Sequence, residues 1–321
     1  MLRSSNLSPE LERNGEPIAI PCNALSRQNY HHHRRSDLII LQIKTRIDAR
    51  SFHHFSTTLY PRIKFRIAIS NMAEPTVAKQ IATLTLQLER QNAIFQIQNL
   101  VNRMAYLMEA GLYEERVEYV AQKTEGVTIE VGGRGVYEGY EGARRCFVDI
   151  EKAFEKSHAA GMRRLFPDVE FGSDHAGMFE SEVIGTPVIE IAGDGKTAKG
   201  VWTSIQAVGK THEHDSRPQG SWLWWRLAID FVKEDGQWKI WHFLKNPFFF
   251  SPANGDWVEL SQNLPPVPKP GTQKGIPGHE SVPDRPTSKL YDPYRITREP
   301  RLWPDPPQPY ETFDPEEAYC G

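Results

Sequence analysis

Two stretches decide the fold, TPVIEIAGDGKTAKGVWTSIQAVGK at residues 186–210 and SWLWWRLAIDFVKEDGQWKIWHF at residues 221–243. Asp194-Gly195 and Asp235-Gly236 lie between runs of apolar, β-branched and aromatic residues. Asp-Gly is a strong hairpin signal, because a two-residue type I′ turn needs a positive φ at both of its central positions. The pattern therefore predicts a long antiparallel meander that is rich in tryptophan.

The segment before the meander has helical spacing. Between residues 75 and 110 the apolar side chains recur mostly at three- and four-residue steps, and Gly111 stands where a helix would end. The pattern also predicts a short helix over 112–121, a strand over 127–131 and a third helix over 140–158. Helices on one side of an antiparallel sheet define an α+β architecture. We therefore predict a cone-shaped α+β fold in which N-terminal helices and a curved antiparallel sheet enclose a pocket.

The two ends of the chain differ in composition from this central part. Residues 1–71 carry eleven Lys/Arg against five Asp/Glu and show no sustained periodicity. We expect them to be a disordered leader or the product of an over-long gene model, with Met72 as the functional start. The folded domain is then expected over residues 72–260.

Residues 261–321 form the proline-rich tail, with fourteen of the 24 prolines. Proline lacks an N–H donor and fixes φ, so this density predicts extended backbone. Aromatic residues interleaved with the prolines predict that the tail lies along the domain or along a neighbouring subunit. The alternative is a disordered ligand for a partner with an aromatic groove.

Composition also excludes several classes of protein. The leader has a charge balance of +6, which leaves −9 for the rest because the whole chain carries −3. Without a basic stripe, nucleic acid is not an expected partner. No apolar run is long enough to span a bilayer. Three scattered cysteines, Cys22, Cys146 and Cys320, favour a reduced, cytoplasmic protein without a disulfide framework or zinc site.

No cofactor motif is found, and no metal site is expected. The run His212-Glu213-His214-Asp215 carries metal-capable atoms, but it lies in a polar loop with no identifiable third ligand.

Four motifs resemble a known family. They are YLMEAGLY at residues 106–113, TPVIEI at 186–191, GKTAKGVW at 195–202 and EDGQWKIWH at 234–242. Together they resemble the SnoaL-like branch of the nuclear transport factor 2-like superfamily, with a layout similar to that of scytalone dehydratase. The resemblance implies a cofactor-independent lyase (a dehydratase) or isomerase of secondary metabolism, acting on a hydrophobic small molecule as a homo-oligomer. The same superfamily also contains non-catalytic small-molecule-binding and protein-interaction modules, so the fold does not settle the activity.

Glu109 is the first catalytic candidate. Asn102, Tyr106 and Glu109 share one side of the first helix, because residues three and seven apart lie on the same face. The resemblance implies that an acidic residue at the position of Glu109 acts in the pocket. Apolar surroundings would raise its pKa and make it a general acid or base. The alternative is a solvated glutamate near a helix end.

Glu182 is the second candidate, and it departs from the family pattern. It stands where the resemblance implies a catalytic histidine in the strand before the hairpin. Two carboxylates facing one pocket can share a proton, one with a raised pKa and one ionised. Alternatively, Glu182 is a surface residue and the histidine machinery has been lost. His175, seven residues earlier, is the substitute if the register differs.

Aromatic and apolar side chains complete the predicted pocket. Tyr106 and Tyr113 could donate a hydrogen bond to a substrate carbonyl and stabilise an enolate, although packing is the commoner role of a buried tyrosine. The remaining predicted pocket residues are Trp202, Trp225, Leu227 and His242.

Overall fold

The computed structural model describes residues 76–261, 281–288 and 293–320. The predicted leader, residues 1–71, lies outside the described residues, as do parts of the proline-rich tail. None of the described helices is both long and apolar enough to cross a membrane.

The described helices begin with a long one. Helix α1 spans Val77–Glu109, and Gly111 has a φ of 70°, as expected for the residue that ends a helix in the left-handed conformation. The other helices are α2 (Tyr113–Val117), α3 (Gly139–Arg144), α4 (Ile150–Leu165) and α5 (Trp257–Ser261), with a π-helical segment, Arg145–Asp149, between α3 and α4. The single predicted third helix therefore corresponds to α3, the π-helical segment and α4 in unbroken succession.

In the described residues, seven strands form one open sheet. They are β1 (Thr128–Val131), β2 (Val136–Glu138), β3 (Phe179–Ile184), β4 (Val188–Ile191), β5 (Thr197–Lys210), β6 (Gln219–Glu234) and β7 (Gln237–Pro252). Their order is β2-β1-β7-β6-β5-β3, and β4 also pairs with β5. The helices and this curved sheet confirm the predicted α+β architecture.

One pair of strands is parallel, which the sequence did not predict. β1 runs parallel to β7, with Ile129 opposite Phe243. The reason lies in the chain that leaves α2. The N–H of Ala121 donates to the carbonyl of Ile240 at 2.8 Å, so this segment already follows β7 before β1 begins.

The two Asp-Gly turns differ. At Asp235-Gly236 both φ angles are positive, 49° and 79°, and Glu234 pairs directly with Gln237, as the type I′ prediction requires. At the other turn only Gly195 has a positive φ. The prediction of a two-residue turn there was wrong, because the Asp194 carboxylate accepts the Lys196 N–H at 2.9 Å and holds a wider loop between β4 and β5.

Side-chain alternation along β5 to β7 separates an inner from an outer face of the sheet. Inner-face residues such as Trp202, Leu227 and Phe243 are buried in one core with helical residues. Phe147 of the π-helical segment meets Phe243 edge-on at 5.3 Å. The core therefore lies between the helices and the inner face.

The described part of the tail lies against the outer face. Tyr319 and Cys320 are buried there in a second small cluster with Ala228 and Leu244. Phe313 packs on Trp241, with ring centroids 4.6 Å apart. Aromatic side chains between the prolines thus hold extended backbone on the sheet.

A buried polar group anchors the end of the tail. Asp230 is fully buried, and its carboxylate accepts the Tyr319 N–H at 2.9 Å. The same carboxylate lies 3.0 Å from His242 Nδ1 and 3.0 Å from Lys199 Nζ. Lys199 also donates to the Glu317 carbonyl at 2.7 Å, so the tail backbone satisfies groups that the strands present.

Glu130 on β1 is the second buried carboxylate at the outer face. It has no exposed surface, and its Oε2 accepts from the backbone N–H and the hydroxyl of Ser288. Its Oε1 has no hydrogen-bond partner among the described residues. Burial raises the pKa of Glu130, and the Ser288 hydrogen bonds only partly oppose this.

Glu130→Gln is expected to stabilise the protein at neutral pH. The pKa of Glu130 is higher in the folded state than its unfolded value of about 4.3. Between these two pKa values the folded state binds more protons than the unfolded state, so stability falls as the pH rises from the unfolded to the folded pKa. The substitution removes this loss, so the gain should be present at pH 7 and vanish below pH 4. Urea unfolding at both values measures it. Glu299→Gln, at an exposed position, is the control, and an equal pH dependence in both variants would contradict the prediction.

Gly236→Ala is expected to destabilise the domain by about 1–2 kcal/mol, because an L-residue is strained in the left-handed conformation. A Cβ at Gly236 would meet no atom within 4 Å, so the loss would come from backbone strain alone. Gly172→Ala is the matched control, since its Cβ also meets nothing and its φ is not in that region. Thermal unfolding should separate the two variants, and similar melting temperatures would refute the turn assignment.

Candidate functional site

The first candidate site is a cavity of about 330 Å³ between the helices and the inner face of the sheet. Its apolar wall is formed by Met108, Phe147, Phe154, Leu223, Trp225 and Phe250. Its charged side chains are Arg116, Arg134, Glu151, Glu180, Lys210, Asp215 and Lys245. An apolar cavity with a few convergent polar groups is the usual form of a small-molecule site.

Strand alternation builds one wall of this cavity. Gln206, Val208 and Lys210 point inward from β5, as Leu223 and Trp225 do from β6. The Trp225 indole N–H donates to Gln206 Oε1 at 2.8 Å, which fixes the plane of the indole ring. The aromatic surface is therefore held in a defined orientation.

Two ion pairs lie on the inner face, and the first of them is buried. Glu182 Oε2 is 2.7 Å from Lys245 Nζ, and the two side chains are only 4% and 6% exposed. Glu182 also accepts from the Ser204 hydroxyl at 2.5 Å. Glu180 Oε1 is 3.0 Å from Lys210 Nζ. Glu180 and Glu182 thus each form an ion pair with a lysine.

Glu151 on α4 differs from these two carboxylates. Its nearest cation is Arg134, whose Nη1 lies 3.9 Å from Glu151 Oε1, too far for a hydrogen bond. The Glu151 carboxylate accepts no hydrogen bond from the described residues. Glu151 therefore faces the cavity with oxygen atoms that can accept a proton or a donor.

Arg116 on α2 is a buried cation with no carboxylate partner in the described part of the chain. It is 6% exposed, and its guanidinium lies over the Phe147 ring at 4.3 Å. Its buried Nε has no hydrogen-bond partner among the described residues. The cavity thus contains one guanidinium that is paired only with an aromatic face.

Cys146 lines the cavity but is not a nucleophile at neutral pH. Burial raises the pKa of its thiol to about 12, with the carboxylate of Glu151 adding to the effect. Only the thiolate is an effective nucleophile, and it is scarce below that pKa. Cys146 therefore acts as a small apolar side chain.

The predicted residues of α1 meet Glu182 in a second, smaller cleft. Asn102, Tyr106, Glu109 and Glu182 line a space of about 180 Å³ between α1 and β3. Tyr106 is 73% exposed, and Glu109 and Asn102 are also exposed. The expected desolvation of Glu109 is therefore not present, because this side of α1 faces solvent and the opposite side, with Met104 and Met108, enters the core.

Of the other predicted pocket residues, Trp225 lines the cavity. Trp202 and Leu227 lie on the same face of the sheet but in the packed core. His242 lies on the outer face beside Asp230, because it alternates with the inward-facing Phe243.

Tyr113 and His175 line neither the aromatic cavity nor the smaller cleft. Tyr113 is 2% exposed, and burial raises its pKa, as do the carboxylates of Glu151, Glu155 and Glu180, so it remains protonated. His175 Nδ1 is 3.6 Å from Glu155 Oε1.

The sequence interpretation missed Glu151 and Glu180, although signals for both were present. Glu151 lies four residues after Phe147 and three before Phe154, so it interrupts an apolar helix face. Glu180 lies two residues before Glu182 and shares its strand face. A charged residue on a buried face is the informative observation in each case.

The loop between β5 and β6 contributes to the rim of the cavity. His212 and Asp215 line it, and the Asp215 carboxylate accepts the His212 backbone N–H at 2.8 Å. Within the described ranges, no group of three or more His, Cys, Asp or Glu side chains is arranged to hold a metal ion.

Lys245→Met is expected to destabilise the protein by about 3–5 kcal/mol, because it leaves the buried Glu182 carboxylate without its cation. The double variant with Glu182→Gln should lose less, since both charges are then removed. Lys123→Met, which breaks the exposed pair with Asp235, is the control and should not change stability measurably. Urea unfolding compares the three variants, and a double variant less stable than Lys245→Met would contradict the prediction.

Comparisons with known proteins agree with this architecture. The family model for the SnoaL-like domain matches residues 89–243. The chain is similar to the hexachlorocyclohexane dehydrochlorinase LinA-type3 from Novosphingobium barchaimii, at 14% identity, covering 56% of this chain and 99% of that chain with a TM-score of 0.39. It is also similar to the hexachlorocyclohexane dehydrochlorinase LinA Type2, at 14% identity, covering 53% of this chain and 95% of that chain with a TM-score of 0.40. A third similar structure is a protein provisionally described as a scytalone dehydratase, from Novosphingobium aromaticivorans. The identity is 12%, the match covers 52% of this chain and 91% of that chain, and the TM-score is 0.36.

No curated protein matches the sequence. The family model carries the assignment, and it confirms the resemblance predicted from the four motifs. Residues 89–243 of this chain therefore match the SnoaL-like domain family.

Proposed function

We propose that this protein is a cofactor-independent lyase (a dehydratase) or isomerase that acts on a hydrophobic small molecule by proton transfer inside the aromatic cavity. The observation that carries the proposal is Glu151, a carboxylate that faces an apolar cavity without a hydrogen bond from the described residues. The SnoaL-like domain supports a small-molecule site in this position.

In the proposed reaction Glu151 is the general base. Its carboxylate takes a proton from a carbon next to a substrate carbonyl, and the electrons of that C–H bond move to the carbonyl oxygen to form an enolate. Lys210 and Lys245 stabilise this oxygen, because each ammonium has three N–H donors and its carboxylate partner does not use all of them.

The enolate then collapses in one of two ways. In a dehydration it expels a β-hydroxyl group, and His212 at the cavity rim donates the proton that lets water leave. In an isomerisation the proton returns at a different carbon and the double bond migrates. Both outcomes conserve the redox state of the substrate, so neither needs a cofactor.

The Glu109 and Glu182 cleft is a less suitable place for this chemistry. Glu109 is exposed there, and Glu182 is held by both Lys245 and Ser204. A carboxylate in solvent is not enclosed with a substrate, and one that already accepts hydrogen bonds from a lysine and a serine has its oxygen atoms occupied. We therefore place the reaction in the aromatic cavity.

A non-catalytic binding module is the second candidate. It is favoured by the glutamate at position 182, where the resemblance implies a histidine, and by the engagement of Glu180 and Glu182 in ion pairs. In this alternative the cavity holds a ligand that leaves unchanged. Under either function we expect a polyketide- or terpenoid-like ligand and a cytoplasmic homo-oligomer.

The test begins with the ligand. Native mass spectrometry of the full chain after incubation with metabolite extracts identifies the bound species, and turnover of that species is then followed in deuterium oxide. Wild-type protein should form a product or exchange a carbon-bound proton. Glu151→Gln should lower the rate by roughly 100-fold or more, because general-base catalysis contributes about that factor.

Glu109→Gln is the matched control, since it removes a carboxylate from the exposed cleft and should leave the rate unchanged. Equal rates for wild type and Glu151→Gln would remove Glu151 from the mechanism. A ligand that binds but neither reacts nor exchanges would establish the binding module instead.

A further inference from the structure

The charged groups around the aromatic cavity are not all joined in ion pairs. Three of its four cations each face a carboxylate: Lys210 and Glu180 are 3.0 Å apart, Lys245 and Glu182 are 2.7 Å apart, and Arg134 and Glu151 are 3.9 Å apart. Asp215, the remaining acidic lining residue, accepts the backbone N–H of His212. Arg116 takes part in no ion pair among the described residues.

Arg116 is also the most buried of the charged lining residues that lack a polar partner. It is 6% exposed, its Nε makes no hydrogen bond to a described residue, and its one close partner is the Phe147 ring at 4.3 Å. Burying a guanidinium without an anion or acceptor is unfavourable. A fold that retains such a group next to a cavity is suited to receive an anion there.

We propose that Arg116 binds the negatively charged group of the cavity's ligand, and that this ligand is a hydrophobic monoanion, the ionised form of an apolar carboxylic acid. This inference names the ligand class of the proposed function. It rests on that function only in assuming that the ligand occupies the same cavity. It holds equally for an enzyme and for a binding module.

A carboxylate fits this site better than other anions do. The planar guanidinium presents paired N–H donors that match the two oxygen atoms of a carboxylate. One uncompensated cation balances one negative charge, whereas a phosphate dianion would need a second. Arg134, whose buried Nη1 lacks a hydrogen-bond partner, is a nearby donor for the same group. The aromatic walls then cover the apolar body of the acid.

The probe is a matched pair of compounds, 2-naphthoate and its neutral amide, 2-naphthamide, titrated calorimetrically into the full chain. Wild-type protein should bind 2-naphthoate roughly 10- to 100-fold more tightly than the amide, the factor expected for a hydrogen-bonded charge. Arg116→Gln should abolish this preference and leave the dissociation constant of the amide within about twofold of the wild-type value.

Arg226→Gln is the matched control. Arg226 also lies over a phenylalanine ring, that of Phe248 at 5.0 Å, but on the outer face of the sheet. It should keep the full preference for 2-naphthoate. If Arg116→Gln does not fold, Arg116→Lys is used instead, because it keeps the charge and loses the paired N–H donors. This variant should bind 2-naphthoate about tenfold more weakly than wild-type protein does.

Equal affinity of wild-type protein for the two probes, or no binding of 2-naphthoate at millimolar concentration, would overturn the inference. So would an undiminished preference in Arg116→Gln, or tighter binding of the dianion 2-naphthyl phosphate than of 2-naphthoate. Glu151→Gln separates this inference from the proposed function. It should bind 2-naphthoate at least as tightly as wild type does, because a negative charge is removed, while it loses turnover of the natural substrate.

Discussion

The two-residue alternation of side chains along β5, β6 and β7 is the constraint on which the rest of the structure depends. These strands are 14, 16 and 16 residues long, so each presents a long row of side chains to either face. The inner row is apolar at one end of β5, around Trp202, and polar towards Gln206 and Lys210. Helices can close over the apolar end, whereas the polar end remains as a cavity.

Charge inside that cavity has to be matched, since a buried ion is tolerated only with a partner. The lysines of β5 and β7 meet the glutamates of β3 across the sheet, and these contacts occupy the carboxylates that the strand pattern places inward. Arg116 has no ion-pair partner among the described residues and Glu151 has only the distant Arg134, at 3.9 Å; both residues come from helices. The groups left for a ligand thus come from the helical wall of the cavity.

On the outer face, the tail supplies partners for buried polar side chains. Asp230 and His242 would be exposed polar residues on an uncovered sheet, but the tail covers them and supplies the Tyr319 N–H as a partner. Proline-rich backbone suits this role, because it is extended without pairing with itself and can donate or accept at selected points. The tail is therefore part of the domain's packing wherever the structure describes it.

Much of the fold was readable in the sequence, because it depends on local chemistry. Helical spacing ended at Gly111, the Asp235-Gly236 turn requires positive φ, and the apolar alternation follows from strand geometry. The wider loop at Asp194 was not readable, since an aspartate side chain that bonds its own backbone competes with the two-residue turn. The parallel β1–β7 pair was also hidden, because it depends on the path of the chain after α2.

The candidate site, too, was predictable from the sequence only where it depends on local chemistry. By itself the sequence determined that a Trp-rich sheet and helices enclose a cavity, because periodicity and turn chemistry are local properties. It also selected Trp225, which lines that cavity, and the Glu109 and Glu182 pair, which shares a surface cleft. Only the tertiary structure decided which carboxylate is buried, which is paired and which is free, because burial and ion pairing depend on residues far apart in the chain. For that reason Glu151 and Arg116, rather than Glu109, face the aromatic cavity.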